Sequence, residues 1–178
     1  MTLQPRFYAG IGSRSTPDSI LRLMHDVAAK LAAEGWILRS GGAEGADTAF
    51  AEGAGDAAQI FLPWAGFNGV QVNTTFGPFV QDDPAAWTFG VAKKYHPAWD
   101  KLRQGGQKLQ ARNCHQVFGV LPPLDATRAS WAKFVLCWTP GGSGSGGTGQ
   151  AIRIAKAYGI PVFDMGEPSV ARRVMEWV

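Results

Sequence analysis

Short apolar runs alternate with longer amphipathic stretches along this chain. Each run is four to six residues long and rich in Val, Ile, Leu or aromatic side chains, a composition typical of buried strands. The pattern predicts five strands, at residues 6–11, 36–40, 59–62, 133–138 and 160–163.

The stretches between the strands have apolar positions at helical spacing. The first begins at Thr16-Pro17-Asp18, where Pro suits the first helical position and Asp the positive end of the helix dipole, and it ends at Gly35. Further helices are predicted at about 47–55, 107–117, 150–158 and 169–178. This alternation predicts an α/β fold, a Rossmann-like parallel sheet with helices on both faces.

Residues 64–106 break the alternation and hold eight of the chain's 20 aromatic residues. Structureless loops of this length are uncommon in compact domains unless they are functional. We therefore expect an ordered, aromatic-rich insertion after the third strand, with a short helix near 97–103. No clean boundary separates it from the rest, so residues 1–178 are interpreted as one domain.

Glycine accounts for 23 of the 178 residues, nearly twice the usual ~7%. Much of the excess lies in three loops that each follow a predicted strand and precede a helix, at 10–14, 41–47 and 141–149. The carboxyl ends of parallel strands meet at one sheet edge, where helix N-termini favour phosphate. The sequence therefore predicts a nucleotide-like ligand there, with turn punctuation as the alternative explanation for the glycines.

Two familiar phosphate motifs do not account for these loops. Gly142-x-Gly144-x-x-Gly147 matches the dinucleotide fingerprint formally, but it follows the fourth strand, whereas the fingerprint belongs to the first strand–helix turn. No loop ends in Gly-Lys followed by Ser or Thr, as a P-loop would. Dinucleotide redox chemistry and P-loop NTPase activity are therefore rejected.

The net charge of +3 is mild but unevenly distributed. Residues 93–112 contain six Lys or Arg and one Asp, so this stretch carries +5 (6 − 1) and the remainder −2 (3 − 5). Such a stretch can follow a nucleic-acid backbone, and the alternative is a solvated helix face. Single-stranded DNA is therefore a candidate partner.

The two cysteines, Cys114 and Cys137, have no metal-ligand spacing and are typical of a reduced cytoplasmic protein. The chain does not open with a signal-peptide pattern, and no apolar run approaches the ~20 residues of a membrane span. We expect a cytoplasmic protein with no metal, no cofactor and no membrane partner.

Three loop motifs carry a resemblance to known families. Gly10-Ile-Gly-Ser-Arg14 with Thr16-Pro17, and then Ser40-Gly-Gly-Ala-Glu-Gly-Ala-Asp47, resemble the paired motifs of the DNA-processing protein A (DprA/Smf) family. Gly146-Gly-Thr-Gly149 is similar to the phosphate loop of the LOG nucleotide phosphoribohydrolases. Both belong to the SLOG superfamily of Rossmann-like domains. The resemblance implies a nucleotide or nucleotide-derived ligand and self-association into a homo-oligomer.

The LOG resemblance implies hydrolysis of the N-glycosidic bond of a nucleoside 5′-monophosphate. The catalytic Glu of that family is missing here, since the chain reads Gly149-Gln150-Ala-Ile-Arg153. The oxocarbenium-like transition state needs a nearby carboxylate, and Glu44 and Asp47 in the second loop are the candidates. The alternatives are a solvated loop acid for Glu44 and a helix-start residue for Asp47.

The remaining candidates bind or orient the ligand. Arg112 is similar in position to the Arg of the LOG Arg-Lys pair and is assigned to catalysis, with a solvated helix face as the alternative. The candidates for phosphate or nucleotide binding are loop backbones and polar side chains, namely Gly12, Ser13, Arg14, Gly41, Gly42, Asn113, Gly146, Gly147, Thr148, Gly149 and Gln150. Trp64 and Phe67 are candidates for stacking on a base, with core packing as the alternative.

These observations lead to three functional hypotheses. The first is a nucleotide-binding protein that hydrolyses a nucleoside monophosphate, as LOG enzymes do. The second is a non-enzymatic protein that binds single-stranded DNA and mediates recombination, as in the DprA family. The third is a sensor that binds a nucleotide signal without turnover.

Overall fold

The computed structural model describes residues 4–71 and 78–178. The strands within these ranges are β1 (Arg6–Gly10), β2 (Trp36–Ser40), β3 (Ala58–Phe61), β4 (Phe79–Gln81), β5 (Ala132–Cys137) and β6 (Val162–Asp164). They form one sheet in the order β4-β3-β2-β1-β5-β6, and every neighbouring pair is parallel. The predicted α/β fold with a Rossmann-like parallel sheet is therefore confirmed.

Helices cover both faces of this sheet. They are α1 (Asp18–Ala33), α2 (Ala46–Ala54), α3 (Ala86–Tyr95), α4 (Gln104–Phe118), α5 (Gly146–Ala157) and α6 (Pro168–Trp177). One core cluster joins Tyr8 of β1 to buried residues of α1 and α2, and the other joins Ala9 to buried residues of α4 and α5. Because successive strand residues point to opposite faces, Tyr8 and Ala9 mark the two cores on either side of β1.

The order in which successive strands are placed in the sheet reverses next to β1. The chain runs from β1 through β2 and β3 to β4 on one side, and it then returns to place β5 and β6 on the other. In open α/β sheets, ligands bind outside the carboxyl ends of the strands at such a reversal. The loops after β1 and β5 are therefore where a ligand site is expected.

The insertion at 64–106 is more regular than its sequence indicates. It contributes the edge strand β4 and the ten-residue helix α3, neither of which the pattern predicts. The helix predicted near 97–103 is instead a 3₁₀ turn at Trp99–Lys101, and α4 begins at Gln104. The strand β4 has only three residues and is held by backbone pairing with β3, so it leaves no periodic signal in the sequence.

Most aromatic side chains of the insertion pack on the core. Four of them lie against the cluster formed by α4 and α5, namely Trp87, Phe89, Tyr95 and Trp99. Phe79 of the edge strand is 47% exposed, and Phe76 lies outside the described residues. Phe67 packs partly against the other core cluster but also reaches the carboxyl edge of the sheet.

Candidate functional site

A cavity of about 320 Å³ lies at the carboxyl edge, between the loops that follow β1 and β5 and one face of α4. This volume is at the lower end of the range for small-molecule sites. Nine of the predicted site residues line it, namely Gly12, Ser13, Arg14, Asp47, Arg112, Asn113, Gly146, Gly147 and Thr148. The structure therefore brings together residues that are up to 136 positions apart in the chain (148 − 12).

The wall after β5 is the N-terminus of α5. This helix begins at Gly146, four residues before the predicted start at 150, and no described side chain caps it. The first N–H groups of a helix have no acceptor within the helix, and the helix dipole makes this end positive. Because Gly146, Gly147 and Thr148 line the cavity, this wall offers backbone donors suited to a phosphate.

The wall after β1 carries a cation, Arg14. Its side chain is exposed at the cavity, and within the described ranges it forms no ion pair. The backbone of Gly45 passes close by with a φ of +82°, and a Cβ there would lie 3.0 Å from Cα of Arg14. Glycine at 45 therefore satisfies both the left-handed backbone and the close approach of the two loops.

A buried ion pair, Arg112 with Asp47, forms part of the cavity wall between these two loops. Nη1 of Arg112 lies 3.7 Å from Oδ2 of Asp47, and it donates hydrogen bonds to the carbonyl oxygens of Gly41 and, at 3.5 Å, Phe61. Asp47 also accepts a hydrogen bond of 3.2 Å from the N–H of Ala43. The pair therefore links α4 to the loop that follows β2.

Burial dominates the electrostatics of this pair. The side chains of Arg112 and Asp47 are 8% and 4% exposed. Burial raises the pKa of Asp47 above its usual value, while the Arg112 guanidinium and backbone N–H groups oppose that rise. The wall therefore holds a carboxyl group whose protonation is tied to its neighbours.

Gly41 and Gly42 do not line the cavity, but they pack against Arg112 and Leu62 next to it. A Cβ at Gly41 would overlap Nη1 of Arg112 and would lie 2.5 Å from its Cζ. A Cβ at Gly42 would lie 2.6 Å from Cδ2 of Leu62. The absence of a side chain at these two glycines therefore leaves room for Arg112 and Leu62. Their predicted contact with phosphate stays a prediction.

Gly149 and Gln150 also lie outside the cavity lining. A Cβ at Gly149 would overlap the carbonyl oxygen of Gly144. Gln150 is fully buried, donates to the carbonyl of Ala92 at 2.8 Å, and accepts from Arg153 Nη2 at 2.9 Å. Gln150 therefore joins α5 to α3, because the first turn of α5 directs it away from the cavity.

Glu44 is separated from the other candidates. It is exposed and lines a different depression, beside Arg22, His25 and Glu52. The turn through Gly45 directs Glu44 outward and Asp47 inward. Of the two predicted carboxylates, only Asp47 lies in the cavity wall.

One face of α4 supplies two lining residues that the sequence analysis missed, Leu109 and Gln116, beside the predicted Arg112 and Asn113. Leu109, Arg112, Asn113 and Gln116 follow the spacing i, i+3, i+4, i+7, and all four line the cavity. This spacing places side chains on one face of a helix. The polar side chains at the i+3, i+4 and i+7 positions of this stretch were the available signal for Gln116.

A second missed feature fixes the loop before α5. The carboxylate of Asp164 accepts hydrogen bonds from the hydroxyl of Thr139, from its N–H at 2.9 Å, and from the N–H of Gly166 at 2.9 Å. The Thr139 hydroxyl accepts in turn from the N–H of Gly144 at 2.9 Å. Asp164 therefore positions the glycine-rich loop without touching the cavity.

The basic stretch at 93–112 is partly neutralised. Three of its six cations meet carboxylates, in the pairs Lys93–Asp100 at 3.4 Å, Lys108–Asp83 at 3.2 Å and Arg112–Asp47 at 3.7 Å. Lys94, Lys101 and Arg103 are exposed and have no ion pair within the described ranges. These three cations of the stretch are therefore available to a polyanion, and the exposed Lys93–Asp100 pair is too weak to withhold Lys93.

The described residues contain no group of three or more His, Cys, Asp or Glu arranged to hold a metal ion. None of the helices in residues 4–71 and 78–178 combines the length and apolar character needed to cross a bilayer.

No family model matches the chain, and no curated protein matches it. DNA processing protein A from Helicobacter pylori is similar in structure, with a TM-score of 0.58 and 19% identity over 90% of this chain. The same protein from Streptococcus pneumoniae gives a TM-score of 0.46 and 13% identity over 97% of the chain. The chain spans 65% and 56% of those two proteins. This chain therefore has the Rossmann-like fold found in the DNA processing protein A of Helicobacter pylori.

Proposed function

We propose that this chain binds single-stranded DNA, with one phosphate of the strand seated between Arg14 and the N-terminus of α5. The observation that carries the proposal is that the exposed guanidinium of Arg14 and the N-terminus of α5 line one cavity, and neither has an ion-pair or capping partner among residues 4–71 and 78–178. Both groups favour an anion. The solved structure of the Helicobacter pylori protein concerns its binding of single-stranded DNA. The similarity in fold between that protein and this chain supports single-stranded DNA as the ligand.

The cations of the insertion extend this site along a strand. Arg103 precedes α4, and Gln110 of the same helix lines the cavity. Seven residues of helix span about 10 Å, so Arg103 lies within reach of a neighbouring phosphate. Lys94 and Lys101 are exposed in the same segment. A polyanion therefore gains further contacts that a mononucleotide lacks.

The test measures the binding of a fluorescently labelled oligonucleotide by anisotropy across a series of salt concentrations. We expect the affinity to fall as salt rises, because cations on the protein displace the counterions of the strand. Arg14→Ala should weaken binding and lower the slope of log affinity against log salt by about 0.7, the value for one phosphate contact of a single strand.

The matched control is Arg22→Ala, which removes an exposed arginine of α1 that lies beside Glu44 and away from the cavity. It should leave both the affinity and the salt slope close to those of the unaltered protein. Equal losses in the two variants would contradict a site at Arg14. Absence of binding at low salt would end the proposal.

A second candidate is cleavage of a nucleoside monophosphate, which the position of Asp47 favours. Its carboxyl lies in the cavity wall, where it could act in proton transfer, and burial raises its pKa above the usual value against the opposing charge of Arg112. The assay follows release of free base from each nucleoside monophosphate by chromatography. Base release that is abolished in Asp47→Asn and retained in Glu44→Gln supports this candidate, and release unaffected by Asp47→Asn removes it.

A further inference from the structure

The insertion helix α3 ends abruptly after Tyr95. Pro97 restricts the residue before it, and His96 accordingly has an extended backbone, with φ −97° and ψ 121°. The carbonyl groups in the last turn of a helix have no partner within the helix, and Pro97 has no N–H to donate. Donors for these carbonyl groups must therefore come from side chains or from solvent.

Two side chains of α5 supply such donors. Nε2 of Gln150 donates to the carbonyl oxygen of Ala92 at 2.8 Å. Nε of Arg153 donates to the carbonyl oxygen of Tyr95 at 2.9 Å, and its Nη2 donates to Oε1 of Gln150 at 2.9 Å. A guanidinium suits this position because the C-terminus of a helix is the negative end of its dipole. Arg153 therefore fastens the end of α3 to α5, directly and through Gln150.

This contact lies near the proposed phosphate site. Arg153 is seven positions after Gly146 (153 − 146), which begins α5 and lines the cavity. Seven residues of helix span about 10 Å. Lys93 and Lys94 are exposed in the last turn of α3, the turn that Arg153 holds. The hydrogen bonds of Arg153 therefore determine where these cations lie relative to the cavity.

We propose that Arg153 is a positioning residue for strand binding, which holds the end of α3 so that Lys94 contacts a phosphate next to the one at Arg14. The inference rests on the proposed binding of single-stranded DNA. Arg153 acts through the geometry of its hydrogen bonds, because Nε and Nη2 both have acceptors within the protein. Lysine carries the same charge but lacks the planar fork, so it cannot make both contacts.

The experiment measures the salt dependence of oligonucleotide binding for Lys94→Ala, Arg153→Lys and the double variant. Lys94→Ala should lower the slope of log affinity against log salt by about 0.7, the value for one phosphate contact of a single strand. Arg153→Lys should lower the slope by a similar amount, although the charge of the protein is unchanged. The double variant should lose no more than either single variant, because both changes remove the same contact.

Hydrogen exchange in the absence of DNA gives an independent readout. The amides of α3 should exchange roughly tenfold faster in Arg153→Lys, because hydrogen bonds from a charged donor at the end of the helix are lost. The amides of β1 should keep their rates, which shows that the fold is retained. Arg22→Lys, at an exposed arginine of α1 away from the cavity, is the matched control and should change neither the slope nor the exchange.

The outcomes distinguish this inference from the proposed function. An unchanged salt slope or unchanged α3 exchange in Arg153→Lys overturns the positioning role and leaves strand binding at Arg14 intact. Losses that add in the double variant overturn it as well, because Arg153 would then contact the strand itself. An unchanged slope in Lys94→Ala overturns the contact of Lys94. Absence of strand binding by the unaltered protein overturns both proposals.

Discussion

A methyl group added at Gly41 should disrupt the buried ion pair of the site. The Cβ of Gly41→Ala would overlap Nη1 of Arg112 and would lie 2.5 Å from Cζ and 2.7 Å from Nε2 of Gln116. The φ of Gly41 is not in the left-handed region, so alanine introduces a clash without backbone strain. The guanidinium must therefore move away from Asp47, its partner in the ion pair.

The magnitude follows from two costs. Overpacking a core typically costs ~1–3 kcal/mol, and breaking a buried ion pair costs ~3–5 kcal/mol. Because the mutation displaces the guanidinium without removing it, the two costs are not added, and Gly41→Ala should lower the free energy of unfolding by about 3 kcal/mol, the value at which the two ranges meet. For a chain of this size that change lowers Tm by about 6–12 °C. Urea unfolding followed by circular dichroism measures this change as a lower midpoint with an unchanged slope.

Gly90→Ala is the matched control. Gly90 lies within α3, and a Cβ there meets no atom within 4 Å among the described residues. Alanine in a helix interior is favoured over glycine by about 1 kcal/mol, so this variant should be slightly more stable than the unaltered protein. If Gly41→Ala unfolds within about 0.5 kcal/mol of the unaltered protein, the typical range for surface substitutions, the argument from Arg112 is refuted.

Three further predictions concern groups outside the cavity. Burial lowers the pKa of His115 in the folded protein. The unfolded chain therefore binds a proton at this residue more readily than the folded protein as the pH falls below ~6.5, and the free energy of unfolding should decrease by up to about 1.4 kcal/mol per pH unit. His115→Gln should flatten this pH dependence in urea titrations. Asp164→Asn should cost about 2 kcal/mol and speed hydrogen exchange at Gly144, and unchanged exchange would contradict its positioning role. Burial raises the pKa of Cys114 and Cys137, so neither should react with a thiol reagent until urea is added.

Periodicity was sufficient to predict most of the fold. The five predicted strands are all present, because each buries apolar side chains that leave a pattern in the sequence. The edge strand β4 was not predictable in this way. It pairs through backbone hydrogen bonds with β3, which lies about 20 residues earlier in the chain, and its residue Phe79 is exposed.

The candidate site was predictable in its location but less so in its detail. The glycine-rich loops indicated the sheet edge, since parallel strands bring their carboxyl ends together. Which of Glu44 and Asp47 faces the cavity depends on the direction of the turn at Gly45. The two residues are only three positions apart, and their spacing in the sequence does not determine that direction. The partner of Arg112 was equally hidden, because 65 positions separate it from Asp47 in the chain (112 − 47).

The cavity has a consequence for folding, because its walls come from segments that lie at 11–14, 47, 109–116 and 145–148. A fragment that lacks β1 or β5 lacks one of these walls, so a ligand at this cavity would recognise only a chain in which both strands are in place. Ligand at a hundred times its Kd would stabilise such a native state by about 2.7 kcal/mol. That stabilisation would extend to amides far from the ligand, and ligand-dependent hydrogen exchange across β1, β2 and β5 would then report how cooperatively the two halves of the sheet unfold.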